Sequence, residues 1–549
     1  MNLALILTGR EKVDLSQFAH IAVTNVGQYH ELKASSHPSL IDFFQIDSTI
    51  DYGAIKNQID TALHVESGVN YSLRWAPLAL NRVSRQYLHY LQYRNRIESW
   101  LTNKKIGKLI VSSGEDCYLV MAAKAICENR GIELIVGVGT YMPNAGLEPY
   151  FFNEAISVNQ KLFFTFIVYI LGAALRVLRI RLLYEPYHNF KYKFQDVAQF
   201  RFCTSIFLKS GLQLISIFTR KPIFSKVMLE DLIIHSGPLR IKSNFWNSFT
   251  EFERQLISKS LDNFFKKYPP NFLDKITKRL KLYFNSSGIQ RLIVIDAEAM
   301  HDRILINAAK EVGVTVDFLP HGLVLNHCLT SPNLSFSPNR VLAWNLPSAE
   351  SFRMQGFECD SVVHQRINYL AENVRPHLVS LGDVKKILIF ASPTSSLQPD
   401  ATERDLIDVY YGLVNAGILD ISVRFHPGSG IVRERQELVF SRVQSLIKST
   451  VKICAGSIDS YMLMSNYNFL IIGGSTTAIL EAAFLAIPFI IFRADINKIS
   501  SLSEFGLLHA DSSEELTNAI LGFNFNKHKL ICAKVVESFL AGKNPFECG

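Results

Sequence analysis

Phe469-Leu470-Ile471-Ile472-Gly473-Gly474-Ser475-Thr476-Thr477 is the stretch that decides the fold. Its four apolar residues read as a buried strand, and the small and hydroxyl residues after them read as a turn opening a helix. A helix from Thr477 to about Ala486 then leads into a second apolar strand, Pro488-Phe489-Ile490-Ile491-Phe492. Strand, helix and strand at this spacing form a parallel pair with a right-handed crossover. Upstream, Lys386-Ile387-Leu388-Ile389-Phe390 and Ile421-Ser422-Val423-Arg424-Phe425 supply two further strands of the same unit. Open α/β sheets bind ligands at the carboxyl ends of their strands, so the chemistry is expected there.

The pattern recurs towards the N-terminus. Lys108-Leu109-Ile110-Val111 leads through a helix to Ile132-Glu133-Leu134-Ile135-Val136, and Arg291-Leu292-Ile293-Val294-Ile295 leads to Val314-Thr315-Val316-Asp317-Phe318. Met1 to Arg10 is expected as a first buried strand rather than a signal peptide, because it lacks a basic start and a small-residue cleavage site. The expected organisation is an N-terminal Rossmann-like part over 1–150, a helical insertion over 151–285 and the rest of that α/β domain over 286–360. A linker over 361–384, a nucleotide-donor domain over 385–525 and a helical tail over 526–549 complete it.

The chain of 549 residues is 48% hydrophobic and 19% charged, at the apolar end of folded chains, and its length calls for more than one domain. Its 8 Cys show no C-x-x-C pair, which fits a reducing cytosol and suggests neither a zinc site nor a disulfide framework. No apolar run reaches the roughly 18–20 residues that a membrane span needs. The nearest, Leu162 to Leu175, is followed by Arg176, Arg179 and Arg181.

The formal charge of +8 is concentrated in residues 161–226, where eleven basic residues stand against Glu185 and Asp196. Phe and Tyr are interleaved through that segment. Such a composition suits an anionic membrane surface. The plainer alternative is a helical insertion with a solvated basic face. Nucleic acid is not an expected partner, because no recognisable nucleic-acid module accompanies the charge.

Three strand ends carry candidate chemistry. At the first, Pro427 stops a strand and holds His426 at the rim, where imidazole can bond a phosphate or, protonated, neutralise a leaving nucleotide. At the second, Gly473 and Gly474 permit close backbone approach, and Ser475, Thr476 and Thr477 open a helix whose N-terminus suits an anion. Glu481 on that helix has two places to be: on a ribose hydroxyl or on an exposed face. At the third, Pro320-His321-Gly322 with Asp296 and Glu298 sets an imidazole and two carboxylates along one rim, as a general base for a hydroxyl requires. Glu115, beside Asp116, offers a similar rim carboxylate. Each of these features also has a plain structural alternative, as a turn, a helix cap or a dipole-favoured acid. There is no P-loop, no G-x-G-x-x-G after the first strand, no G-x-S-x-G elbow and no convincing metal site.

Taken together, the chain resembles the GT-B glycosyltransferases, which are α/β proteins with two Rossmann-like domains facing across a cleft. The helical basic and aromatic insertion would lie in the first domain. The Gly473-Gly474-Ser475-Thr476…Glu481…Pro488 pattern is similar to the donor half of many such enzymes, where the small residues meet the donor phosphates and the Glu meets the ribose. Arg424 leads into His426-Pro427, which resembles the HP motif of bacterial sialyltransferases and polysialyltransferases and that of CDP-glycerol glycerophosphotransferases. His321-Gly322 is similar to the His-Gly pair of capsule and teichoic-acid polymerases, with Pro320 standing where those have Gln or Trp.

The resemblance implies metal-independent transfer from a nucleotide-sugar co-substrate, with no cofactor, to a surface polysaccharide or glycolipid acceptor such as capsule or lipopolysaccharide. A CMP-sugar is narrowly favoured over a UDP-sugar. The scattered Cys and the basic aromatic segment add the expectation of a cytoplasmic protein, peripheral on the inner face of the cytoplasmic membrane. Three alternatives stand beside it: a CDP-glycerol-type glycerophosphotransferase, a UDP-sugar 2-epimerase, and a non-catalytic nucleotide-sugar-binding protein at the membrane.

Overall fold

The computed structural model describes residues 2–8, 14–24, 29, 32, 40–43, 50–70, 73–113, 117–137, 244–268, 270–287, 290–294, 297, 300–320, 322–323, 329, 331–374, 386–391, 401–425, 441, 444, 451–454, 460–474, 476–493 and 501–543. It divides into two compact units. One comprises Met1–Asp51, Arg85–Pro149 and Ile367–Leu540; the other comprises Tyr52–Ser84, Tyr150–Arg366 and Ala541–Gly549. Both are α/β.

The first unit holds a sheet made, among the described residues, of β1 (Asn2–Leu7), β2 (His20–Val23), β3 (Leu40–Asp42), β4 (Ile106–Val111) and β5 (Glu133–Val136). Every pairing is parallel and the order is 3-2-1-4-5. A parallel sheet is covered on both faces, so its central strands are continuously apolar. Ala4, Leu5, Ile6 and Leu7 of β1 are accordingly buried, with Leu5 and Leu7 packed among Phe18, Ile21 and Val23. The helix Cys117–Arg130 makes the crossover from β4 to β5.

The second unit is built on β6 (Arg291–Val294), β7 (Thr315–Phe318), β8 (Arg340–Ala343) and β9 (Glu358–Ser361), all parallel in the order 6-7-8-9. Asp317 at the centre of β7 is fully buried and accepts two bonds from Arg340, at 3.1 and 2.9 Å, and one from Arg291. That bidentate pair satisfies a carboxylate that would otherwise be costly inside a sheet. A second buried pair, Arg303 to Asp60 at 2.7 Å, ties the helix Tyr52–Val69 to the helix Met300–Lys310. The described part of the 151–285 stretch begins at Asn244 and is helical. Its helix Glu251–Lys267 opens on a capping box between Thr250 and Glu253, followed by the helix Pro270–Ser287. Beyond β9, the 361–384 stretch continues into the helix Gln365–Asn373.

The first unit's other sheet contains β10 (Lys386–Phe390), β11 (Asp420–Arg424), β12 (Lys452–Ile453), β13 (Phe469–Gly473), β14 (Phe489–Phe492) and β15 (His509–Ala510). These are again parallel, in the order 12-11-10-13-14-15. Counted from β10, that is the doubly wound order 3-2-1-4-5-6. One face packs Ile387, Ile389, Val423, Ile471 and Phe492 against Leu406, Leu413 and Leu516 from the helices Ala401–Asn415 and Ser513–Leu521. The basic aromatic segment 161–226 lies outside the described residues. Among the described residues, no helix is long and apolar enough to cross a membrane.

Candidate functional site

Strand order reverses between β10 and β13, and that switch point is where a doubly wound sheet opens a crevice at its carboxyl edge. Four strand ends meet there in register, Phe390 opposite both Arg424 and Ile472, and Gly473 opposite Phe492. Gly474 then turns with φ of 70°, a conformation that disfavours any residue with a side chain. Its amide donates to the Phe492 carbonyl at 3.1 Å, which pins the turn to the end of β14.

The helix Ala478–Leu485 starts immediately after this turn. Thr477 is its N-cap and makes no side-chain capping bond, so its hydroxyl is not committed to the helix. The Thr476 hydroxyl accepts from the Ala478 amide at 3.4 Å. The first amides of a helix have no intrahelical acceptor, and their dipole favours an anion. Gly473, Gly474, Thr476 and Thr477 thus lie at the switch point, between the end of β13 and the start of this helix.

Two charged side chains sit inside this framework. Glu481 is only 5% exposed, on a helix whose eight residues are all buried, which removes the exposed-face alternative for it. Arg424 at the end of β11 is 3% exposed, with its guanidinium 5.8 Å from the centre of the Phe390 ring. The structure thus brings Arg424, Gly473, Gly474, Thr476, Thr477 and Glu481 into one unit, around one sheet edge or the helix that leaves it. His426, Pro427, Ser475, Glu115, Asp296, Glu298 and His321 lie outside the described residues. Their described neighbours are at strand ends: Ser112 and Ser113 after β4, Ala297 after β6 and Pro320 after β7. The Pro320 carbonyl is held by the Trp344 indole N–H at 2.8 Å, and the Trp344 ring stacks on His364 at 4.1 Å.

Two groups at strand ends escaped sequence reasoning. At the switch point of the first sheet, between β1 and β4, the Ser112 hydroxyl accepts from the Thr8 amide at 3.0 Å and lies 3.1 Å from the Thr8 hydroxyl. The rule that ligands gather at carboxyl ends pointed to this place, but Thr and Ser are too common to single out. The second is Arg493, directly after β14, with a left-handed backbone at φ of 50°. A non-glycine residue there costs on the order of 1–2 kcal/mol and persists only where its surroundings hold it. Burial disfavours its charge, but Asp405 and Asp408 outweigh that and hold the guanidinium above its usual pKa. The visible signal was a lone charge closing an apolar strand. Among the described residues, no group of three or more His, Cys, Asp or Glu is placed to hold a metal ion.

No family model matches the sequence, and neither does any curated protein. Among solved structures, the chain is similar to UDP-GlcNAc 2-epimerase of Methanocaldococcus jannaschii in complex with UDP-GlcNAc and UDP, at 14% identity and TM-score 0.33, over 48% of this chain and 81% of that one. It is also similar to the spinosyn rhamnosyltransferase SpnG complexed with spinosyn aglycone, at 15% identity and TM-score 0.33, over 55% and 82%. A third is MurG of Acinetobacter baumannii, at 12% identity and TM-score 0.32, over 50% and 77%. Overlap this loose transfers no residue and no role; the doubly wound architecture stands on the strand order itself.

Proposed function

We propose that this chain is a glycosyltransferase of GT-B type that takes a sugar from a nucleotide-activated donor without a metal ion or other cofactor. The observation that carries the proposal is the turn from Gly473 to Thr477 at the switch point of a 3-2-1-4-5-6 sheet, with Glu481 buried on the helix it opens. In this reading the helix start, Ser475, Thr476 and Thr477 bind the donor phosphates, Glu481 accepts from a ribose hydroxyl, and Arg424 adds positive charge behind them. His426 stabilises the departing phosphate, and Pro427 holds it at the rim. The base for the acceptor hydroxyl comes from Asp296, Glu298, His321 or Glu115.

A CMP-sugar is favoured over a UDP-sugar on the His426-Pro427 motif, and the acceptor is a surface glycan or glycolipid. Residues 161–226 bring the enzyme to an anionic membrane surface on the cytoplasmic side. A thermal-shift panel of CMP, CDP, UDP and GDP tests the donor half directly, because a ligand bound only by the folded state raises the melting temperature with concentration. One nucleotide should stand out, with cytidine ahead. No shift with any of the four at millimolar concentration removes the nucleotide site and the enzyme reading with it.

A further inference from the structure

Arg493 is the best-anchored charge at the carboxyl edge of β14. Its guanidinium donates to Asp405 at 2.9 Å, to Asp408, and to the main-chain carbonyl of Asp511 at 2.9 Å. It also lies 5.0 Å from the centre of the Phe492 ring. Arg404 shares Asp405 at 3.0 Å, so two arginines and two aspartates meet here, both acids from the first turns of the helix Ala401–Asn415. The Arg493 amide donates to the Ala510 carbonyl at 3.0 Å. One residue therefore joins the helix after β10, the end of β14 and the turn after β15.

Such a cluster is poorly explained by stability alone. Buried ion pairs are often no more stabilising than apolar residues of similar volume, whereas they do fix geometry. What this one fixes lies one peptide away. Phe492 precedes Arg493, and its carbonyl is the acceptor that holds the Gly474 amide. We propose that Arg493 is a positioning residue for the phosphate turn: the Asp405–Asp408 clamp sets the Phe492 carbonyl, and that carbonyl sets Gly474 and the helix start behind it. The ligand class it serves is a nucleoside diphosphate or monophosphate rather than a nucleoside. This rests on reading Gly473–Thr477 as the phosphate site.

The test is calorimetric binding to the full chain of UDP and CDP against uridine and cytidine. The quantity read is the ratio of nucleoside to nucleotide Kd, the gain contributed by the phosphates. Arg493→Gly accepts the left-handed backbone without strain and removes the guanidinium with its bonds to Asp405, Asp408 and the Asp511 carbonyl. It should lower that ratio by about tenfold or more while leaving nucleoside affinity unchanged, as misplacing a charge-assisted site does. A general loss of structure would weaken both ligands together, and that result overturns the positioning role. An unchanged ratio also overturns it, showing that the backbone turn alone suffices. Should Arg493→Gly fail to fold, Asp408→Asn leaves the Asp405 contact and should lower the ratio in the same direction. An unchanged ratio there is equally fatal. If the unaltered chain prefers neither diphosphate over its nucleoside, the phosphate reading itself falls and takes this inference with it.

Discussion

Single residues in this chain carry information that their neighbours in sequence do not explain. Glu481 sits in Ala-Ile-Leu-Glu-Ala-Ala-Phe-Leu, where an acid is legible but its direction is not. It is buried because that helix packs against the helices Ser460–Met464 and Phe525–Leu540 as well as against β13. Thr477 stands at the N-cap of the same helix without a side-chain capping bond, which its sequence position alone did not reveal. In the proposed mechanism His426 stabilises the departing phosphate. Replacing it by Ala should reduce turnover on the order of 10²–10³-fold, as removal of one transition-state donor does, with the fold intact. A rate near that of the parent, measured with any donor the protein uses, would remove His426 from the mechanism.

At the scale of elements, the helix Phe525–Leu540 shows how burial sets chemistry. His528 is 5% exposed, edge-on to Phe489 at 4.6 Å, with its Nε2 3.3 Å from the Cys532 sulfur. Burial lowers its pKa from 6.5 to about 4, offset in part by a bond with the Ile487 backbone. Burial also pushes the Cys532 thiol up to about 12, so it stays a protonated thiol and an inert one. The folded state therefore keeps His528 neutral where the unfolded chain would protonate it. This contribution is complete above about pH 6.5 and is lost as pH falls from there towards 4. Between pH 7 and pH 5 it amounts to about 2 kcal/mol. The urea midpoint should fall over that interval, and His528→Gln should flatten the slope. A parent midpoint that does not move would show that His528 carries no such load.

The 161–226 segment makes a different prediction at the same scale. Liposomes containing anionic lipid should retain the protein, and salt should release it, because each basic residue near such a surface contributes about 1 kcal/mol and is screened beyond about 10 Å. Equal retention on neutral liposomes would sink the electrostatic account.

For the whole molecule, the main fact is that units and sequence do not run in step. The first unit takes both termini of the α/β series, and the second is closed by residues from beyond the last helix. Lys543 pairs with β9's extension, its carbonyl accepting from the Val363 amide and its amide donating to the Ser361 carbonyl, both at 2.9 Å. Gly542 makes this possible, since a Cβ there would stand 2.5 Å from the Val362 carbonyl carbon. Gly542→Ala should therefore cost about 1–3 kcal/mol locally, as overpacking does. With two units a single unfolding energy is poorly defined, so amide exchange at Val363 is the measurement. Unchanged protection there would mean the C-terminal residues do not close the unit.

The sequence by itself determined the local units: apolar runs of strand length, Gly and Pro where they stop, and a helix opening after the glycines at Gly473 and Gly474. These are properties of neighbouring residues and of covered parallel strands, so they need no knowledge of distant chain. Only the tertiary structure decided strand order, and with it that the Gly473–Thr477 turn stands at the switch point between β10 and β13. It alone turned Glu481 inward and joined Arg493 to acids 85 and 88 residues away. Those outcomes depend on which face each crossover helix covers and what it meets there, and no short stretch of sequence carries that information.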